Sequence, residues 1–300
     1  MVSEAKRLDT GLSRVLIRPP SEAGSLLIEV FQGCNYNQCR FCGIYKDSHF
    51  RVLKPEEIYK QIEIAKKYYG DYDGTVFLTG SDMTSLSTDF LVEILDRVSQ
   101  AFPNLERITS YSSARSAIAK TLEDFNRLRK AGLKRMHMGL ESGSDKVLKL
   151  MKKGTLSKTI IQSGRRIREA GIQLSLYVLL GLGGEELTQD HIRGTVEVLN
   201  EIDPDFIRFR TLNILPNTPL FDDVKQRRFK LITPYETIKE QREMIAGLNV
   251  HSEIFNDHVS DYLDFEAKFP EDKEMIIKLI DGVLADPRTR FIQPKELTEM

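Results

Sequence analysis

The stretch SLLIEVFQGCNYNQCRFCGIYKDSHF occupies residues 25–50 and runs from an apolar segment into a polar loop holding all three cysteines of the chain, Cys34, Cys39 and Cys42. Its first part, SLLIEVFQ (25–32), reads as a strand that ends at Gly33. Working outward, comparable apolar or β-branched runs return at GTVFLTG (74–80), ERITSY (106–111), KRMHMGL (134–140), IQLSLYVLLG (172–181) and DFIRFRTLN (205–213). Longer segments with apolar residues three and four apart lie between them, such as KPEEIYKQIEIAKKYYG (54–70), STDFLVEILDRVSQAF (87–102) and TLEDFNRLRKAGL (121–133). Strand and helix in alternation predict an α/β fold with a parallel sheet.

Helix boundaries carry their own signals. Ser87 or Thr88 is placed to cap the second helix, Thr121 with Asp124 resembles a capping box, and Gly132 and Gly171 end helices just before strands. Right-handed crossovers make six successive βα units curl into a partly closed barrel, unless strand order reverses midway into a doubly wound sheet. In both architectures ligands bind at the carboxyl ends of the strands, where the cysteine loop begins. Beyond residue 248 the rhythm breaks, with one clear helix near 271–285 and otherwise irregular chain, which is expected to pack on the barrel as an extension.

Composition sets the outer limits. Lys+Arg at 43 against Asp+Glu at 44 leaves a net charge of -1, so no overall field draws the chain to nucleic acid or an anionic membrane. The first twenty residues lack the apolar run of a signal peptide, and LSLYVLLGLGG (174–184) is too short to span a bilayer, so a cytoplasmic location is expected. Three cysteines cannot close a paired disulfide framework, and a reducing compartment keeps them as thiols. Metal binding or redox chemistry is the better reading.

Thiolates select zinc, Cu(I) or iron–sulfur clusters. A tetrahedral zinc site needs a fourth ligand, and His49 would give C-x4-C-x2-C-x6-H, which is not a recognised zinc spacing. A [4Fe-4S] cube held at three corners leaves one iron open to a small ligand. The flanking Gly33, Asn35, Asn37, Gln38 and Arg40 argue against three cysteines that merely fill a core.

A cysteine loop after a first barrel strand, with an aromatic residue, Phe41, directly before the last cysteine, resembles the radical S-adenosylmethionine (radical SAM) superfamily. Its usual motif is C-x3-C-x2-C, and this sequence has one more residue in the first gap. GLESGSDKVLKLMKKG (139–154) is similar to a segment of coproporphyrinogen oxidase-like, Elp3-like and methylthiotransferase-like members, and TGSD (79–82) looks like a variant of the turn that meets the methionyl amine. The resemblance implies a partial (β/α)6 TIM-type barrel over residues 1–247, a C-terminal extension over 248–300, a [4Fe-4S] cluster on Cys34, Cys39 and Cys42, and S-adenosylmethionine as cofactor.

It also implies cofactor contacts from Phe41, from Gly80, Ser81 and Asp82 after the second strand, and from Ser110 and Arg115 after the third. Glu141 would meet the ribose or nearby polar groups and Lys153 the carboxylate, with Ser142 beside them. Tyr177 and Leu179 would line the ribose and adenine, and Ile214 and Leu215 would offer adenine an apolar surface. The plainer alternatives are that Ser142 and Ser144 only cap a helix, that Lys153 is solvated, that Arg115 is a surface charge, and that Tyr177 and Leu179 are core.

The family's chemistry would be reductive cleavage of S-adenosylmethionine and hydrogen abstraction by a 5'-deoxyadenosyl radical, fed by an external one-electron reductant such as flavodoxin or ferredoxin. No cysteine remains for an auxiliary cluster, and no basic RNA-binding module is evident. A small or mid-sized substrate is therefore expected, with no membrane and no nucleic-acid partner. His137, His251 and His258 are further contributors to weigh. The competing classes are a zinc-stabilised binding protein and an iron–sulfur electron-transfer or carrier protein.

Overall fold

A computed structural model describes residues 16–286; residues 1–15, most of the segment read above for a signal peptide, and residues 287–300 lie outside the described residues. In chain order the elements are β1 (Leu26–Glu29), β2 (Phe31–Gln32), β3 (Arg51–Val52), α1 (Pro55–Tyr69), β4 (Thr75–Thr79), α2 (Thr88–Ala101), β5 (Arg107–Ser112), α3 (Ala114–Ala117), α4 (Leu122–Lys130) and β6 (Leu133–Glu141). There follow α5 (Asp145–Leu150), α6 (Ser157–Glu169), β7 (Gln173–Leu180), α7 (Gly184–Ile202), β8 (Phe206–Thr211), α8 (Pro219–Lys225), α9 (Pro234–Gly247), β9 (Glu253–Asn256), β10 (Phe265–Lys268) and α10 (Lys273–Ala285).

The main sheet has the order β1-β4-β5-β6-β7-β8-β9-β10. Every neighbouring pair from β1 to β9 is parallel, and β10 returns antiparallel along β9. The order never reverses, which excludes the doubly wound alternative and gives the progressive sheet of a partial TIM-type barrel. The six expected strands all form, but the first stops at Glu29: Phe31–Gln32 leave the main sheet to pair with Arg51–Val52, closing the base of the cysteine loop.

Alternation along the strands separates two faces. Ile28, Val76, Leu78, Ile108, Met136, Met138, Leu174, Leu176, Ile207 and Phe209 face the helices in one hydrophobic cluster. Their alternates line the interior, where Phe77, Tyr111 and Tyr177 surround His137, with ring centroids 5.1–6.2 Å apart. The amino-terminal end of this interior is filled by charge stacked on rings, with the Arg135 guanidinium 4.0 Å from the Phe206 ring centre. The opposite, carboxyl end of the strands lies beneath the cysteine loop.

The helix signals act as read. Ser87 Oγ accepts from the Phe90 N–H, and Thr121 with Asp124 forms a reciprocal capping box. The extension differs from expectation. Rather than irregular chain before its helix, it supplies β9 and β10, and Ile254, Phe265, Phe269, Ile276 and Ile280 join the same core cluster as β8.

Candidate active site

The cysteine loop is held over the sheet's carboxyl end by contacts to three other segments. Arg40 is the main clamp: its N–H donates to Met151 O at 3.0 Å, its carbonyl accepts from the Leu220 N–H at 3.0 Å, and Nη1 donates to Leu150 O at 3.1 Å. Its Nη2 also pairs with the buried carboxylate of Asp223. Tyr36 donates its hydroxyl to Lys152 O at 3.0 Å, and Asn217 Nδ2 donates to Gly43 O at 3.0 Å. Gly43 permits this close approach, because a Cβ would lie 2.2 Å from Asn217 Oδ1 and 2.9 Å from Leu215 Cδ1 and would push both side chains aside.

The three thiols share one electrostatic neighbourhood. Burial pushes the Cys39 thiol up to about 11, against the pull of the Lys153 ammonium and with the repulsion of Cys42, Glu141 and Cys34. Burial also raises Cys42, against the Ile44 backbone N–H and Lys153. Among the described residues no three His, Cys, Asp or Glu side chains converge as one ion's ligand set, so the arrangement with His49 is not assembled. A cubane places each thiolate on its own iron and needs no such convergence. The all-sulfur donor set and the adjoining cation, which offsets thiolate charge, fit a [4Fe-4S] cluster.

Lys153 is not solvated. Its Nζ lies 2.8 Å from Glu141 Oε1 and 6.0 Å from the centre of the Phe41 ring. Burial would lower its pKa, but Glu141, Cys39 and Cys42 outweigh that and raise it, so the ammonium is fixed. The fold makes room for this pair in two ways. A register shift after Gly139 gives Glu141 a left-handed φ of 60°, and the carboxylate folds back over Gly139, where a Cβ would stand 2.0 Å from Glu141 Oε1.

Ser142 turns away from this pair. It is fully buried, its Oγ accepts from the Ser144 N–H at 3.1 Å and lies 2.8 Å from His191 Nδ1. Gly143 next to it abuts Gly194 of α7, where a Cβ would meet the carbonyl oxygen at 2.0 Å. Half of the GLESGSD segment therefore docks the loop on α7, and Glu141 with Lys153 faces the cysteines.

Asp82 is a hub of the scaffold. It is 2% exposed, and its carboxylate accepts from Thr84 Oγ1, Ser113 Oγ and Ser116 Oγ, each at 2.6 Å, and from the Ser113 N–H at 3.1 Å. Arg115 Nη2 approaches it at 3.7 Å and donates to Asn35 Oδ1 at 3.0 Å, and its guanidinium stacks 4.8 Å from the centre of Tyr36, so Arg115 links this hub to the cysteine loop. Gly80 lies against Phe31 and Met83, and Ser81 keeps a buried hydroxyl with no partner.

Ser110 requires a correction. It sits in register with Leu78 and Met136 on the helix-covered face, and the residue that faces the interior is Tyr111. Tyr177 does face the interior: its hydroxyl lies 3.2 Å from His137 Nδ1, and His137 Nε2 lies 3.1 Å from the buried Glu22. Burial lowers the His137 pKa, while hydrogen bonds from His137 and Ser25 overcome burial to lower that of Glu22. Neutral His137 thus donates from Nε2 to the Glu22 carboxylate and accepts the Tyr177 proton at Nδ1. This chain can hold or pass a proton at the Tyr177 oxygen.

Phe41, Leu179 and Ile214 come together in one apolar patch with Val147, Met151, Leu182 and Leu220, and Leu215 sits against Gly43. The clamp residues Tyr36, Asn217 and Asp223, together with Tyr111 and Glu22, were not singled out in the sequence, and Arg40 only as a polar flank of the cysteines. Of these, Tyr111 was within reach, since its parity opposes that of Ile108. His251 is exposed beside Asp203, and His258 is half-buried with Nδ1 2.8 Å from Ser260 Oγ.

The family model described as the radical SAM superfamily matches residues 28–199. The chain belongs to the radical SAM superfamily. Radical SAM enzymes use a [4Fe-4S] cluster and S-adenosylmethionine. The chain is similar to the heme chaperone HemW of Bacillus subtilis, 24% identical over 218 residues, covering 70% of this chain and 56% of that one. In fold it is similar to coproporphyrinogen III oxidase (HemN) of Escherichia coli, with a TM-score of 0.53 at 18% identity over 74% of this chain and 51% of that one. Methylornithine synthase (PylB) aligns over 92% of this chain and 77% of its own, at 16% identity and a TM-score of 0.53. The chain spans about half the length of the curated relatives it matches. In fold, these likenesses agree with the partial barrel expected from the sequence.

Proposed function

We propose that this radical SAM chain cleaves S-adenosylmethionine reductively at a [4Fe-4S] cluster on Cys34, Cys39 and Cys42 and abstracts hydrogen from a small or mid-sized molecule held inside the barrel. The observation that carries the reading is the placement of the Lys153–Glu141 pair against the cysteine thiols at the mouth of a polar interior. When bound, the cluster supplies the electron that breaks a carbon–sulfur bond of S-adenosylmethionine and yields the 5'-deoxyadenosyl radical. Lys153 offers a fixed cation to a carboxylate, and Glu141 a fixed acceptor to an ammonium or hydroxyl. Phe41, Leu179, Ile214 and Leu215 offer an apolar surface to a nucleobase, and the loop above them keeps water from the interior.

The partial barrel expected over residues 1–247 and the extension expected over 248–300 act, in their described residues 16–286, as one catalytic body. The electron comes from an external donor such as flavodoxin or ferredoxin, and the protein works in the cytoplasm without a nucleic-acid partner. Among the described residues no helix is long and apolar enough to cross a membrane.

Anaerobic reconstitution tests the reading. Iron and sulfide are expected at about four each per chain, with an electron paramagnetic resonance signal that changes on adding S-adenosylmethionine. Colourless protein carrying about one zinc per chain contradicts it.

A further inference from the structure

The wall of the interior formed by β7, β8 and β9 carries two arginines that the chemistry above does not use. Arg208 and Arg210 project from the inner face of β8, while Ile207 and Phe209 face the helices. Arg208 is in register with Tyr177 on one side and Phe255 on the other, and its guanidinium stacks 4.1 Å from the centre of the Phe255 ring. The Arg210 guanidinium lies 5.5 Å from the centre of the Tyr177 ring. Two residues apart on one strand, the pair spans about 6.6 Å, with Arg210 nearer the mouth.

Both are buried, Arg208 at 2% and Arg210 at 9% exposure. Their neighbours satisfy them only in part, Arg210 Nη1 donating to Phe209 O at 2.5 Å. Asp257 comes within 3.6 Å of Arg208 Nη1 and 3.1 Å of Arg210 Nη1, and Asp261 within 3.6 Å of Arg210 Nη1. Asp261 is itself occupied by the N–H groups of Thr211 and His258. Arg208 Nε, Arg208 Nη1 and Arg210 Nη2 are buried with no hydrogen-bond partner. Guanidinium donors withdrawn from water without an acceptor keep their full desolvation cost, so a bound acceptor would be held strongly.

We propose that Arg208 and Arg210 form the anchoring subsite for a carboxylate-bearing substrate, with the carboxylate seated on their free N–H groups. The word substrate rests on the radical SAM reading; the carboxylate site does not. A planar monoanion matches the edge of a guanidinium, whereas a phosphate dianion would meet the neighbouring Asp257 and Asp261 carboxylates with excess negative charge. A ligand held there lies beside Tyr177 and therefore within reach of the Tyr177–His137–Glu22 chain.

The test is calorimetric titration of the reconstituted full chain with benzoate, its uncharged amide benzamide, and inorganic phosphate, each with and without S-adenosylmethionine. Benzoate is expected to bind with a Kd of about 1 mM, benzamide and phosphate far more weakly. Arg208→Gln and Arg210→Gln should each weaken benzoate at least about tenfold while leaving S-adenosylmethionine affinity unchanged. Arg210→Lys, which keeps the charge, should retain part of the binding and guards against a variant that simply misfolds. Equal binding of benzoate and benzamide, stronger binding of phosphate, no binding of benzoate, or displacement of benzoate by S-adenosylmethionine overturns the proposal. Arginine-dependent benzoate binding in a protein that never forms 5'-deoxyadenosine would sustain the carboxylate site and count against the radical SAM reading alone.

Discussion

At the scale of single residues, the site depends on a carboxylate and an ammonium held beside three thiols by a glycine. Gly139→Ala places a methyl 2.0 Å from Glu141 Oε1 and 2.9 Å from Lys153 Nζ, so the pair must shift and its contact is weakened. We expect a loss of about 1–3 kcal/mol of stability and much weaker S-adenosylmethionine binding, read by denaturant melts and titration; an unchanged affinity would show that the pair does not touch the cofactor. His258 gives a test by pH. Burial, with Arg210 adding to it, holds its pKa down to about 4 from 6.5, so its stabilising contribution is complete above 6.5 and is lost as pH falls toward 4. Burial raises Asp261 to about 6, against Arg210 and its N–H donors, so its contribution is present at low pH and fades as pH rises from 3.8 to 6. His258→Gln should remove an acid-side loss on the order of 1–2 kcal/mol, already reduced for partial exposure. Equal slopes in the two proteins would contradict this.

The grouping of the cysteines was legible in their spacing, and the nearness of Glu141 and Lys153 to them only through the resemblance of residues 139–154 to radical SAM segments. Ser110 was misread because its polarity at a strand end outweighed its parity: it alternates with Thr109 and Tyr111 and shares a face with Ile108. Arg208 and Arg210 sit inside DFIRFRTLN, which was read only as a strand. Nothing local distinguishes an arginine stacked inside a barrel from one at its rim.

At the scale of elements, the cysteine loop is irregular chain made rigid by long-range contacts, with the β2–β3 ladder at its base and α5 and α8 gripping Arg40. Arg40→Ala leaves the Asp223 carboxylate, at 8% side-chain exposure, with Arg228 alone. We expect a cost of about 1–3 kcal/mol and a larger fall in cluster occupancy than in helix content. Full iron loading in this variant would show that the loop does not need its clamp. Such partners lie more than a hundred residues away from Arg40 and carry no local signal, whereas the caps of α2 and α4 are set within four residues and were legible. The four-residue β9 and β10 were too short to show a period against irregular surroundings.

For the whole molecule, the extension completes the sheet rather than decorating it. Ile254, Phe265, Phe269, Ile276 and Ile280 are buried in the cluster that contains β8. At about 1.5–3 kcal/mol each, their loss rivals the ~5–15 kcal/mol net stability of a typical domain. A chain ending at residue 247 should therefore fail to unfold cooperatively; an intact thermal transition near that of the full chain would show the barrel to be self-sufficient. The strand–helix rhythm made the α/β class legible and right-handed connections cut the strand orders to two, progressive or doubly wound, between which the rhythm did not choose. The curvature that brings β8 around to the cysteine loop is a property of the assembled sheet.

The most direct measurement of the central claim is 5'-deoxyadenosine formed from S-adenosylmethionine by the anaerobically reconstituted, dithionite-reduced chain. The account predicts formation in the wild type and none when Cys34, Cys39 or Cys42 is replaced singly by alanine. Absence of 5'-deoxyadenosine from a wild-type protein with a full complement of iron and sulfide, or its persistence in the alanine variants, would contradict it.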